Sequence, residues 1–148
     1  MDGSRLFPAV DQEYLGPKLP FYFLILIAFV STARSLVHLL APDGGAGVIA
    51  GIDVAVQGGA NIIALFGQWG AVQLILALFY WLAILRYRFL VPAMLGVVVI
   101  EQLLRLGVSW LKPLQVSRPP PGAIGSELLL PLAVIAFVWS LRREGGQR

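Results

Sequence analysis

Residues 61–85 read NIIALFGQWGAVQLILALFYWLAIL, residues 86–88 read RYR, and residues 89–111 read FLVPAMLGVVVIEQLLRLGVSWL. A helix needs about 20 mostly apolar residues to cross a hydrocarbon core of ~30 Å, and both runs exceed that length. Only three residues separate them, which forces an immediate reversal and hence an antiparallel helical hairpin. Membrane strands are excluded because the runs are long and lack period-two alternation. Outward from this hairpin, two further windows qualify, residues 20–40 and 123–141. The breaks are Pro42-Asp43-Gly44-Gly45 on one side and Lys112-Pro113 through Pro119-Pro120-Pro121-Gly122 on the other. The expected fold is all-α: one domain over residues 1–148, with four transmembrane helices in an antiparallel bundle.

Composition agrees. Of 148 residues, 58% are hydrophobic and 13% charged, against roughly 25% charged in an ordinary soluble domain. A soluble globule of this size has too little interior to hide so much apolar surface. That excludes a soluble enzyme domain, a nucleic-acid-binding module and a disordered tail. The absence of cysteine excludes a disulfide framework, a thiol nucleophile and a cysteine-ligated metal. With a single histidine as well, no transition-metal site and no cofactor are expected.

Charge placement sets an expected orientation. Arg5, Lys18, Arg86, Arg88, Arg142, Arg143 and Arg148 fall on the side of the termini, and only Lys112 and Arg118 on the other. The positive-inside rule therefore predicts both termini in the cytoplasm, for a protein of a bacterial inner membrane. The basic excess is a matter of orientation and calls for no nucleic-acid partner. Residues 21–30 followed by Ser31-Thr32-Ala33 also resemble a signal-peptide core. The preceding stretch, with Asp2, Asp11 and Glu13 beside Arg5 and Lys18, points instead to an uncleaved first helix.

Polar residues inside these helices carry the functional signal, because an ionisable group at helix centre costs at least ~2.5–3.5 kcal/mol. Ser31, Arg34, Ser35 and His38 form one stripe at i, i+3, i+4, i+7 on the first helix. Glu101, Arg105, Ser109 and Lys112 form another on the third, with Gln102 beside it. The second helix offers Gln57, Asn61 and Gln68, and the fourth Ser126 and Glu127. By depth, Arg34, His38, Asn61, Gln68, Glu101 and Arg105 are expected to form one cluster in the outer half. Two readings stay open: a ligand-binding cavity, or a net-zero lattice in which Glu101 and Asp53 neutralise the two arginines. Trp69 is too deep for an interfacial belt and is expected in the core rather than along the cavity.

Ala60, Ala64, Gly67 and Ala71 recur at i, i+4, i+7, i+11 and form a small-residue seam for close helix approach. In the first outer loop, Val48, Ile49, Ile52, Ala55 and Val56 share a helical face between glycines. They predict a short interfacial helix, with Asp53 part of a lid.

The stretch Phe66-Gly67-Gln68-Trp69-Gly70-Ala71-Val72-Gln73-Leu74, then Leu85-Arg86-Tyr87-Arg88, then Glu101 through Arg105, resembles the DoxX-like group of small four-helix bacterial membrane proteins. The resemblance covers the second and third spans and implies the fold; that group has no single activity to carry over. The loop around Asp53 and the run Pro119-Pro120-Pro121 depart from its pattern.

Three functions are compatible with these residues. The first is a non-catalytic membrane protein whose outer-half cavity binds a small amphipathic or lipid-like ligand. The second is an accessory subunit, or a homo-oligomer, docked through the seam of helix two. The third is a membrane enzyme or proton-coupled carrier using Glu101 and His38. Membrane lipids surround the protein in each case. The orientation is directly testable: in intact cells, an impermeant thiol reagent labels Ser117→Cys and spares Ser4→Cys. The reverse pattern overturns it.

Overall fold

The computed structural model describes residues 8–9, 12–117 and 119–143. Four helices follow in order: α1 (Lys18–Leu40), α2 (Gly59–Leu85), α3 (Val91–Leu111) and α4 (Pro121–Ser140), with a 3₁₀ turn (Arg88–Leu90) before α3. Their ends lie within about two residues of the sequence windows, ordinary scatter for helix boundaries. All four are long and apolar enough to cross a membrane, and large side chains such as Leu65, Leu78, Phe79 and Leu104 stay more than half exposed. Outward-facing leucine on every helix is the surface of an integral membrane protein, whose solvent is lipid. Among the described residues there is no strand.

The helices associate as two hairpins, α1 chiefly with α2 and α3 chiefly with α4. Water provides no driving force for helix contact inside a bilayer, so close approach depends on small residues and buried polar bonds. Both occur between α1 and α2. A methyl group placed on Gly70 would lie 2.7 Å from His38 Cβ, 2.9 Å from the Leu39 nitrogen and 3.0 Å from the Ser35 carbonyl oxygen. Nearer the termini, Trp81 Nε1–H donates to Thr32 Oγ1 at 3.0 Å, and that hydroxyl donates to the Ala28 carbonyl at 2.7 Å.

The close contact therefore falls at Gly70, one position off the seam read from sequence. Ala60 and Ala64 are exposed, and Gly67 has only the His38 carbonyl oxygen within reach, at 3.9 Å. The seam of Ala60, Ala64, Gly67 and Ala71 follows an i, i+4, i+7, i+11 spacing. The buried residues of α2 include Gly70, Ala77 and Ile84, the seven-residue repeat of a helix wrapping a partner.

The two hairpins meet in a core confined to the half of the bundle nearer the termini. Leu24, Ile27 and Ala28 from α1 pack there with Tyr80 and Ile84, with Val91, Leu95 and Val98, and with Ala133 and Ala136. Toward the opposite end this layer stops, and all four helices instead border a cavity. Pro131 of α4 falls between Ala133 of the core and Ser126 of the cavity wall, where its missing N–H removes one helical bond.

Residues 41–50 are a series of turns, and no regular helix forms between α1 and α2. This corrects the expected interfacial helix. Gly44, Gly45, Gly51 and Gly58 all take positive φ, which breaks helical winding after single turns such as Ile49 N–H to Gly45 O at 3.2 Å. At Gly44 (φ +59) a Cβ would also lie 2.9 Å from Phe66 Cβ, so the loop folds down onto α2.

Adding a methyl group separates the two glycines of α2. Gly70→Ala is expected to destabilise the purified protein by about 1–3 kcal/mol, because backbone atoms of α1 must move. Gly67→Ala is expected to be neutral or slightly stabilising, by up to about 1 kcal/mol of helix propensity. Thermal unfolding in detergent compares them; equal effects contradict the placement of the contact.

Candidate functional site

The cavity has a volume of about 790 Å³ and is lined by all four helices and both loops of one end. Its walls are mainly apolar, with Val30, Val37, Ile49, Phe66, Leu104 and Val108 among them. Charged groups enter from two helices. Arg34 lies six residues before the end of α1, and Arg105 six before the end of α3. Both are thus about 9 Å below the loop end at ~1.5 Å per residue. Glu101 sits one turn deeper on α3.

Trp69 organises these charges. The Arg34 guanidinium carbon is 4.5 Å from its ring centroid and that of Arg105 is 4.9 Å, so two cations share one indole. A cation over an aromatic face gains about 0.5–2 kcal/mol, more as water is removed. The His38 ring lies 4.8 Å from the same indole, and Phe66 meets it edge-on at 5.8 Å. Trp69 therefore borders the cavity rather than sitting in the core, as its depth alone suggested. Two guanidinium groups need a π face at their own level, and no other tryptophan is there.

Glu101 is shared unequally. Its Oε1 accepts from Arg105 Nε at 2.9 Å, an i, i+4 ion pair whose side chains are only 17% and 16% exposed. The hydroxyl of Tyr80, whose ring is fully buried in the core, points to Oε2 at 3.5 Å. Nη2 of Arg34 and Nη2 of Arg105 are both buried with no hydrogen-bond partner. A buried donor left unsatisfied typically costs about 1–3 kcal/mol, more when charged.

Asp53 does not supply the missing charge. Its carboxylate accepts from the Ala55 N–H at 2.9 Å in a local turn, it is exposed, and it does not line the cavity. The net-zero lattice drawn from the sequence is thus not formed. Two guanidinium groups face one carboxylate.

The loop over the cavity is held by other residues. Asp43 accepts the backbone N–H groups of Gly45 at 2.8 Å, Gly47 at 3.1 Å and Val48 at 2.8 Å. These bonds, Val48 foremost and then Gly45, hold its carboxyl below the usual carboxylate range. His38 Nδ1 lies 2.7 Å from the Gly44 carbonyl. A carbonyl only accepts, so Nδ1 carries the hydrogen. Ser117 donates its N–H and its hydroxyl to the Gly51 carbonyl, at 3.1 and 3.2 Å, tying the second loop to the first. Ile49 and Ala50 are the residues of the first loop that reach the cavity.

Of the six residues expected to cluster, Arg34, His38, Glu101 and Arg105 come together along the cavity. Asn61 and Gln68 do not; both are exposed on the outer face of α2. The amide bordering the cavity is Gln73, four residues after Trp69 and one turn along the same face. Ser109 and Ser126 also line it, whereas Glu127 and Lys112 are exposed. Asp43 and Tyr80 were not read as site residues. Asp43 had a signal, since a carboxylate before Gly-Gly is a common turn cap. Tyr80 had none, because its role depends on which helix packs opposite. Among the described residues no group of three or more His, Asp or Glu converges to hold a metal ion.

No family model, curated protein or solved structure matches the chain.

The Glu101–Arg105 pair can be measured by a double-mutant cycle. Glu101→Gln is expected to destabilise by about 2 kcal/mol, between the ~0.5 of an exposed helical pair and the 3–5 of a fully buried one. Adding Arg105→Gln recovers part of that loss. Strict additivity shows that the two side chains are not coupled.

Proposed function

We propose that this protein is a non-catalytic membrane protein whose cavity binds a small amphipathic molecule with an anionic head group. The observation that carries this reading is that Arg34 and Arg105, each with a buried guanidinium nitrogen that has no hydrogen-bond partner, both line a cavity with mainly apolar walls. Arginines lining a mainly apolar cleft suit a carboxylate or phosphate. The volume falls within the ~300–1,000 Å³ of small-molecule sites. A satisfied structural lattice leaves no donors over.

The groups that a proton relay or enzyme would use are already engaged. His38 is held by the Gly44 carbonyl and by stacking on Trp69. Glu101 is held by Arg105 and approached by Tyr80. Binding is favoured over chemistry on that ground. With both termini in the cytoplasm of a bacterial cell, the cavity lies in the outer half of the inner membrane and its two loops face outward.

A second reading has its own observation. Asn61 and Gln68 project from the exposed face of α2 beside Ala64, and amides at membrane depth gain by bonding to another helix. An accessory or oligomeric role through this face is compatible with ligand binding elsewhere.

The experiment is native mass spectrometry of gently purified protein and its variants. Arg34→Gln is expected to abolish a retained small-molecule adduct without lowering thermal stability, because the lost stacking on Trp69 is offset by removing a buried donor that has no hydrogen-bond partner. Gln68→Leu leaves the adduct in place. Retention by Arg34→Gln, or its loss with Gln68→Leu alone, overturns the assignment of the site.

A further inference from the structure

The cavity's polarity runs opposite to that of the membrane leaflet around it. From this we infer that its occupant is a compact monoanion with an apolar body, bound head-inward. Its anionic group lies between Arg34 and Arg105, and its apolar part points toward the 41–58 and 112–120 loops. The inference rests on the ligand-binding reading above and narrows it.

Charge sets the first limit. The ionised side chains lining the cavity are Arg34, Arg105 and Glu101, leaving one positive charge in excess with His38 neutral. One negative charge balances it. A dianion would leave an uncompensated charge among apolar walls, which is costly. Each of the two arginines keeps one Nη2 without a hydrogen-bond partner, and a carboxylate has two oxygens, one for each cation.

The order of the lining residues sets the second limit. Arg34, Arg105, Glu101 and Gln73 all lie six or more residues from the loop ends of their helices, at least about 9 Å deep. Above them the walls are largely apolar, with Val37, Ile49, Val108, Leu114 and Pro120. Ser109 and Ser126 are exceptions, as is His38, whose Nδ1 is bonded to Gly44. A bilayer phospholipid has its charged group at the surface and its tails below, so it meets this cavity upside down. A free molecule that enters head-first fits. With ~9 Å between the arginines and the loop end, its apolar body is roughly six to eight carbons long, or a ring system of similar reach.

Two measurements test this on the full chain in phosphatidylcholine nanodiscs. In calorimetric titration, octanoate is expected to bind at least tenfold more tightly than octanol or octyltrimethylammonium. Arg34→Gln and Arg105→Gln are each expected to remove that preference. Orientation is read from tryptophan quenching of Trp69 in a variant whose other three tryptophans, Trp81, Trp110 and Trp139, none of which lines the cavity, are replaced by phenylalanine. Head-inward binding makes 2-bromooctanoate quench Trp69 more strongly than 8-bromooctanoate, and this comparison needs no arginine variant to fold. Equal or reversed quenching overturns the orientation. Suppose instead that octanoate fails to bind while phosphatidylglycerol is retained in an Arg34-dependent way. The compact head-inward ligand is then wrong and the anionic-amphiphile site stands. If no anionic probe binds and Arg34→Gln changes nothing, both fall.

Discussion

Two guanidinium groups held against a single indole, with one carboxylate bonded to the second of them, are the constraint on which the rest of this bundle depends. Like charges this close repel, and burial strengthens the repulsion. The arrangement persists because each contact lowers a different part of the cost. Trp69 offers its π face to both cations, and Glu101 takes Arg105 through Nε. Tyr80 carries the link onward, its ring in the apolar core and its hydroxyl toward the carboxylate. What these contacts leave is one unsatisfied hydrogen-bond donor on each of two arginines that line the cavity.

The bundle is organised to keep that space open. If the four helices packed alike along their length, the arginines would be forced into the core or the cavity would close. Instead, interlocking side chains join the two hairpins only in the half near the termini. The α1–α2 contact continues past it through Gly70. That glycine matters because it draws α1 against α2 at the level of His38, fixing Arg34 and Trp69 relative to each other. The second hairpin is tied back at the far end by Ser117 on the Gly51 carbonyl. Joined at both ends and separate between them, the hairpins frame a cavity that rests on the apolar core.

Much of this was legible in the sequence. Length and hydropathy yield four helices, since only helices and closed barrels satisfy backbone groups in hydrocarbon and these long runs lack a barrel's alternation. The stripes on α1 and α3 were legible because helical periodicity puts Arg34 near His38 and Glu101 near Arg105 whatever else is present. The second helix was harder. It is hydrophobic on all sides, so periodicity does not say which face turns inward. Choosing Gln68 and Gly67 over Gln73 and Gly70 amounts to rotating the helix by part of a turn. That choice is settled by where α1 can approach, a property of two helices together. The loop failed for a different reason: its apolar spacing suits a helix, but four glycines at positive φ wind it into turns.

The Asp53 misassignment bears most directly on function. From sequence, two acids and two bases toward the outer side look balanced, and a balanced set needs no ligand. Asp53 is instead drawn to the nearest backbone donor, the Ala55 N–H two residues on, as aspartates in loops commonly are. Asp43 is likewise taken up by three amides of its own loop. Both loop acids are thus committed to backbone before either can reach an arginine across the cavity. Local hydrogen bonding defeats the long-range ion pair because it costs no chain ordering beyond the turn itself. The imbalance inside the cavity therefore arises from turn chemistry in the loop above it. That leaves the anion to come from outside the chain.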